Sequence, residues 1–284
     1  MKVLRREWFD VSRADQWHII PVGDIHIGAA ACDEKLLDAV IQRIAGDDRA
    51  LWVGLGDYCE FINLRDPRFD MATLADWVGR AELCDLAGAQ VDRLISKLKP
   101  IASKCLGLAK GNHEDTIHRH TERDVYSDIV THVKRDGGFD ADHNLALDYY
   151  GWLSLAFYRA ATRNQGSLIR VNVHHGFSNG KLAGGKALNM QRWLWTHSAD
   201  VVIFGHSHNT MAQVETVEAL DKGDNIVNER RVGCYSGTFL QTVNEGGPST
   251  YSERKGYFPM PIGGCEITLK PAAHSRTDYV RVTV

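Results

Sequence analysis

The sequence is poor in several features that would otherwise direct the reading. No run approaches the roughly 18 to 20 apolar residues of a membrane span, and Met1-Lys2-Val3-Leu4-Arg5-Arg6-Glu7 has no apolar stretch of the kind that forms a secretory signal. The expectation is a cytosolic protein with no membrane contact. Six cysteines (Cys32, Cys59, Cys84, Cys105, Cys234 and Cys265) stand far apart without a C-x-x-C pair, so neither a zinc ribbon nor a disulfide framework is indicated. They read as reduced, packed thiols. There is no basic excess: the formal charge of -3 gives no global pull towards nucleic acid, although a local basic groove is compatible with it. Linker-like segments, internal repeats and low-complexity tracts are also missing, so residues 1–284 are taken as one domain.

What is present is an ordinary core-forming composition, 44% apolar and 24% charged, arranged in β-loop-α units. Trp17–Gly23 reads as a buried strand, and Leu36, Leu37, Val40, Ile41 and Ile44 then recur at helical spacing. Ala50–Gly54 is a second short strand, Val91, Leu94, Ile95 and Leu98 mark a helix ended by Pro100, and Lys104–Ala109 is a third strand. After a helix around Val125, Ile129 and Val133, the segments Trp152–Phe157 and Leu168–Val173 alternate, as strands with one less buried face do. A helix through Leu188, Trp193 and Leu194 leads to a strand at Asp200–Phe204, and the rest is strand and turn as far as Tyr279–Val284. Helices alternating with strands and then giving way to them favour two packed sheets flanked by helices.

Five polar segments follow predicted strands: Gly23-Asp24-Ile25-His26, Gly54-Leu55-Gly56-Asp57, Lys110-Gly111-Asn112-His113-Glu114-Asp115, His174-His175-Gly176 and Phe204-Gly205-His206-Ser207-His208. Singly, each has an ordinary explanation: a turn Asp, a Gly-Asp turn, or a helix start rich in Asn and acids. Together they occupy the carboxyl ends of strands, where open α/β sheets build their sites. Two Asp, one Asn and four or five His make a mixed oxygen and nitrogen donor set without thiolate. Such a set suits Mn, Fe, Zn, Co or Ni better than an all-oxygen Mg or Ca cage. Seven ligands exceed one tetrahedral zinc and fit two ions roughly 3.5 to 4 Å apart that share a carboxylate.

The set resembles the calcineurin-like metallophosphoesterase superfamily, whose blocks D-x-H, G-D, G-N-H-E/D, H and G-H-x-H occur here in that order between Asp24 and His208. The resemblance implies a four-layer α/β/β/α sandwich of two mixed sheets, with a dinuclear site at the strand carboxyl ends. It also implies that Asp24, His26 and His208 hold one divalent ion and Asn112, His174 and His206 the other, with Asp57 bridging; Mn stands first among the candidate metals. His113 is then the imidazole that assists the leaving group. His174 and His175 point apart along a strand. His174 is preferred as ligand because His174-His175-Gly176-Phe177-Ser178 looks like the H-G-G-L-S segment of related protein phosphatases, and His175 is left to contact substrate or to pack.

Two dications would acidify a bridging water into an attacking hydroxide and neutralise phosphoryl oxygens, with no covalent phospho-enzyme. For substrate contacts the sequence offers His118 and Arg119 after the third block, with Arg65, Arg68, Lys181 and Lys186 expected in loops and Phe61, Phe69 and Phe177 as stacking surfaces. Tyr235–Phe239 and Tyr251–Tyr257 look like segments of metallophosphoesterases frequent in phages and prophages, which favours DNA, RNA or nucleotide diesters. A phosphomonoesterase, including a protein phosphatase, is the alternative, and a silent scaffold that kept the fold is a third. Monomer and homodimer are both left open.

Overall fold

In chain order the strands are β1 (Lys2–Trp8), β2 (Trp17–Val22), β3 (Ala50–Gly54), β4 (Cys105–Ala109), β5 (Ala146–Asp148), β6 (Tyr150–Tyr158), β7 (Gly166–His174), β8 (Val201–Phe204), β9 (Thr210–Leu220), β10 (Ile226–Ser236), β11 (Glu266–Leu269) and β12 (Val280–Thr283). The α-helices are α1 (Glu34–Ala45), α2 (Arg80–Cys84), α3 (Leu86–Leu98), α4 (Asn112–Thr121), α5 (Val125–Asp136) and α6 (Ala183–Thr196). These come from a computed structural model, which describes the chain apart from residues 1, 65, 161–162, 164–165, 178–181, 222, 244–249, 251–252, 254–255, 257 and 272–278.

The strands form two mixed six-stranded sheets, in the orders β1-β6-β7-β8-β10-β9 and β12-β11-β2-β3-β4-β5. β3 and β4 are apolar without alternation because they are parallel strands covered on both faces. Between the sheets, Leu51, Val53 and Leu106 meet Leu153, Leu155, Val171, Val173, Val201 and Ile203 in one dry core. On the far side of the second sheet, Leu37, Ile41 and Ile44 of α1 pack with Val91 and Leu94 of α3 and Ile129 and Val133 of α5. Across the first sheet, Met190 and Leu194 of α6 pack on Val202, Phe204 and Tyr235. The result is the expected four layers, helices outside and sheets inside.

Local signals agree with this packing. Asp33, Asp85 and Asp124 each accept an amide hydrogen from the first turn of the helix that follows, starting α1, α3 and α5. β1 has no counterpart in the sequence reading. Only Leu4 of it is buried, since it is an edge strand lying parallel to β6, so its side chains carry little pattern. Among the described residues, no helix is long and apolar enough to cross a membrane.

Ile203 sits at the centre of the inter-sheet core with no exposure. Ile203→Ala should cost about 2–5 kcal/mol in urea unfolding; a loss below about 1 kcal/mol would contradict a packed interior there.

Candidate metal centre

The loops after β2, β3, β4, β7 and β8 meet above the inter-sheet core. Their backbones interlock first: Asp24 N donates to Gly56 O, while Ile25 N and His26 N both donate to Asp57 O at 3.0 and 3.1 Å. Gly111 lies so close that a Cβ there would stand 2.2 Å from Asp57 Oδ1, a contact only glycine permits. Tyr235–Phe239 also takes part, since Thr238 Oγ1 and Phe239 N both donate to Asp24 O.

Five of the gathered side chains sit on strained backbone. Asp24, His26, Asp57, His206 and His208 have φ of 48°, 56°, 49°, 63° and 54°, the left-handed region that costs an L-residue about 1–2 kcal/mol. Such outliers persist where surrounding structure imposes them and they cluster at functional sites.

The buried Asp24 carboxylate accepts His206 N through Oδ2 at 2.8 Å, while Oδ1 has no hydrogen-bond partner and faces His208 Nε2 at 3.3 Å. His26 directs Nδ1 at Glu60 Oε2 (2.8 Å) and Nε2 at His208 Nε2 (3.3 Å). A few residues away, Asp57 Oδ1 accepts His113 N at 2.9 Å and Oδ2 faces His175 Nε2 at 3.4 Å. His175 Nε2 also stands 3.1 Å from Asn112 Oδ1, and its Nδ1 is 2.6 Å from Leu55 O. Asp24, His26 and His208 thus form one group with metal-ligand spacing, Asp57, His175 and His206 a second, and His26, Glu60 and His113 a third.

His174 does not join them. Its ring packs among Tyr150, Phe177, Trp193 and Phe204, and its Nδ1 accepts Gly176 N at 2.7 Å. His174 was expected as the ligand, with His175 left to contact substrate or to pack; it is His175 whose ring lies among the other donors. The reason is strand parity: Val171 and Val173 face the inter-sheet core, and His175 N continues the ladder by donating to Tyr149 O, so His175 shares their side.

Two residues complete the arrangement: Glu114, which the sequence reading placed in the third segment without a role, and Glu60, which it passed over. Glu114, fully buried, accepts Asp57 N, Tyr58 N and Gly111 N at 2.8 to 2.9 Å and so ties the second segment to the third. Glu60 receives His26 Nδ1, the kind of carboxylate partner that fixes a ligand imidazole. Its place three residues after Asp57 was the available signal.

The substrate contacts expected from sequence are mostly engaged elsewhere. Arg119 pairs with Asp115, which also takes Lys110, and His118 is exposed. Arg68 is bonded to Asp66. Lys186 lies in α6 rather than in a loop, buried, with Nζ donating to Ser207 O and Asn209 Oδ1. Phe61 is buried, while Phe69 and Phe177 are half-buried. Arg65, Lys181 and most of Tyr251–Tyr257 lie outside the described residues.

Charge is strongly coupled within the cluster. Burial alone would raise Asp57, but the imidazoles of His175 and His113 hold it well below the usual carboxylate range. Burial lowers His175, and the charge and hydrogen bond of Asp57 overcome this, lifting it to about 10. His113 is raised in the same way, Asp57 and Glu60 outweighing its desolvation. Burial and the neighbouring Asp57 push Glu114 up to about 7. His206 is lowered by burial and by His175.

No family model matches the sequence, and no curated protein matches it. Among solved structures, calcineurin-like phosphoesterase YfkN from Bacillus subtilis shares 12% identity over 90% of its chain and 94% of this one, with a TM-score of 0.40. Vps29 from Entamoeba histolytica, solved with zinc, shares 10% over 97% of its chain and 94% of this one, at 0.37. A conserved uncharacterised protein of Streptococcus pneumoniae, described as a predicted phosphoesterase, shares 12% over 84% of its chain and 90% of this one, at 0.35. At such identities and TM-scores these likenesses carry no weight for chemistry or substrate.

In metal-free protein the His175–Asp57 pair gives a pH signature. A raised imidazole pKa stabilises fully below the unfolded value of 6.5, and that stability is lost as pH rises towards about 10. EDTA-treated protein should lose melting temperature progressively across this window, and His175→Gln should lack that slope. Equal slopes would show that the pair does not form.

Proposed function

We propose that the chain is a dinuclear-metal phosphoester hydrolase acting on phosphodiesters of nucleic acids or nucleotides. The observation that carries this reading is the convergence of lone pairs. With Nδ1 of His26 and of His175 each turned to an oxygen acceptor, their Nε2 atoms stand near acceptors: Asp24 Oδ1, which has no hydrogen-bond partner and lies at metal-ligand spacing from His26 and His208, in one case, Asn112 Oδ1 and Asp57 Oδ2 in the other. Buried acceptors set against each other are costly unless protons or cations lie between them, and the donor types suit divalent transition ions.

Asp24, His26 and His208 would hold one ion, Asn112, His175 and His206 the other, with Asp57 shared, which replaces His174 of the sequence-based set by His175. Bound there, two divalent ions supply a water acidified towards neutrality and neutralise charge on the phosphoryl group. The chain's own residues do the rest. Glu60 and Leu55 O fix the tautomers of His26 and His175 through Nδ1. Glu114 holds the Asp57 main chain in its left-handed turn. His113 keeps Nδ1 on Glu60 O at 2.5 Å, which leaves Nε2 to give a proton to the departing alkoxide. The order of the five segments, shared with calcineurin-like metallophosphoesterases, supports the same division of roles.

Elemental analysis after reconstitution with Mn or Zn should find two ions per chain; fewer than one would overturn the reading. His175→Ala should lose metal while His174→Ala keeps it, and the opposite result would restore the first assignment.

His113→Ala should keep its metal and lose about 10²- to 10⁴-fold in turnover of a nitrophenyl diester. Undiminished turnover would remove His113 from the mechanism, and faster turnover of the monoester would replace the diesterase by a phosphomonoesterase.

A further inference from the structure

The outer face of the first sheet is unevenly covered. Helix α6 packs over β8 and β10, where Met190 closes on Gly233, but β1, β6 and the start of β7 are open: Val3 is 66% exposed, and Arg5, Leu168 and Arg170 are exposed. Register assigns the side chains to that face. Tyr150 pairs with His174 and Trp152 with Asn172, while Arg5, Ser154 and Arg170 form one row across three strands. The intervening Leu153 and Leu155 point into the inter-sheet core.

Beside the edge of α6 this open face carries a continuous aromatic surface. Tyr150 meets His174, Trp193 and His197 at 5.7, 6.1 and 6.2 Å between ring centres. Trp152 meets His197 at 6.2 Å, Trp193 stacks on His197 at 4.3 Å, and Phe177 closes on His174 at 5.6 Å. All six rings are partly buried, Trp152, Phe177 and Trp193 against the α6 cluster, and none reaches the full burial that large aromatics usually find in a core. The surface shares a strand end with the candidate metal centre, on the opposite face of the strand. His174 is the neighbour of His175, and Tyr149, whose carbonyl holds His175 N, stands 6.2 Å from the His175 ring.

We propose that this face is a stacking platform for the unpaired bases of a single-stranded nucleic acid. The proposal rests on the diesterase reading, because a polynucleotide with one phosphodiester at the metal centre must lay its flanking nucleotides along adjoining surface. Three features favour this occupant. The rings adjoin the strand end that also bears His175, and Tyr150 and Trp152 are spaced along one strand by about 7 Å, so successive bases find successive rings. The Arg5 and Arg170 row beyond them gives positive charge for phosphates, although Arg5 also pairs with Glu7. Aromatic faces bind only bases that are not already stacked in a duplex, which sets single strands apart from double-stranded substrate.

The test is binding of a fluorescein-labelled oligothymidylate of about twelve nucleotides to the full chain in EDTA, followed by anisotropy and tryptophan quenching. Base stacking of about 1–3 kcal/mol per ring corresponds to roughly 5- to 150-fold in affinity. Trp152→Ala and Tyr150→Ala should each weaken binding within that range, Trp152→Phe should restore most of it, and the matching duplex should bind more weakly than the single strand. Melting temperatures close to wild type would show that the alanine variants fold. Unchanged affinity in folded Trp152→Ala and Tyr150→Ala, or duplex binding equal to single-strand binding, would overturn the proposal. A second copy of the chain seated on this face would overturn it too, and would appear as a dimer that Trp152→Ala dissociates without affecting oligonucleotide affinity. Since binding is read without metal, its outcome is separate from that of the metal and turnover measurements, which test the diesterase reading alone.

Discussion

Asp57 accepts the amides of Ile25 and His26 through its carbonyl and the amide of His113 through Oδ1, and it turns Oδ2 to His175. Its own amide is held by Glu114. Four of the five polar segments are therefore joined at one residue, itself on left-handed backbone and almost wholly buried. A buried carboxylate is tolerable only where opposing charge and donors compensate its lost hydration. Here both come from the segments it joins. The centre and the way the loops cross are thus one structural requirement: moving any of these loops leaves a charge or an amide without its partner.

That requirement accounts for the distribution of strain. Of the ten non-glycine residues with positive φ among those described, five carry side chains of the centre. Loops built only to connect strands place Gly, Asn or Asp at such positions, as Asp10, Asp148 and Asp224 do here. Among the described residues, histidine stands there only at His26, His206 and His208, all in the centre, so at these positions the side chain was needed more than an easy turn. The three amides on Glu114, and the Thr238 hydroxyl and Phe239 amide on the Asp24 carbonyl, hold that backbone in place.

Much of this was legible in the sequence. Asp24, His26, Asp57, Asn112, His206 and His208 could be singled out because unalternating apolar runs at β2, β3, β4 and β8 announce parallel strands, and polar residues after such strands have few structural uses. Glu114 and Glu60 were harder to read: Gly111 N is a near partner of Glu114, but the Asp57 and Tyr58 amides it also holds, and the His26 imidazole that Glu60 holds, come from distant segments. β1 was illegible for a different reason: an edge strand with one buried side chain has no period to detect.

The pair at His174 and His175 was the instructive case. Leu168–Val173 does alternate, and the odd positions 169, 171 and 173 are Ile or Val while the even ones include Arg170 and Asn172. That pattern already assigns the odd side to the inter-sheet interior, and hence His175 to the place where the other loops converge. Similarity to a short motif gave the opposite answer because a motif aligns letters, whereas the pleat assigns faces. The same parity that brings His175 inward turns His174 out to Tyr150 and Trp193. One strand end therefore serves two surfaces: an interior lined with metal-type donors, and an open aromatic face that begins one residue away.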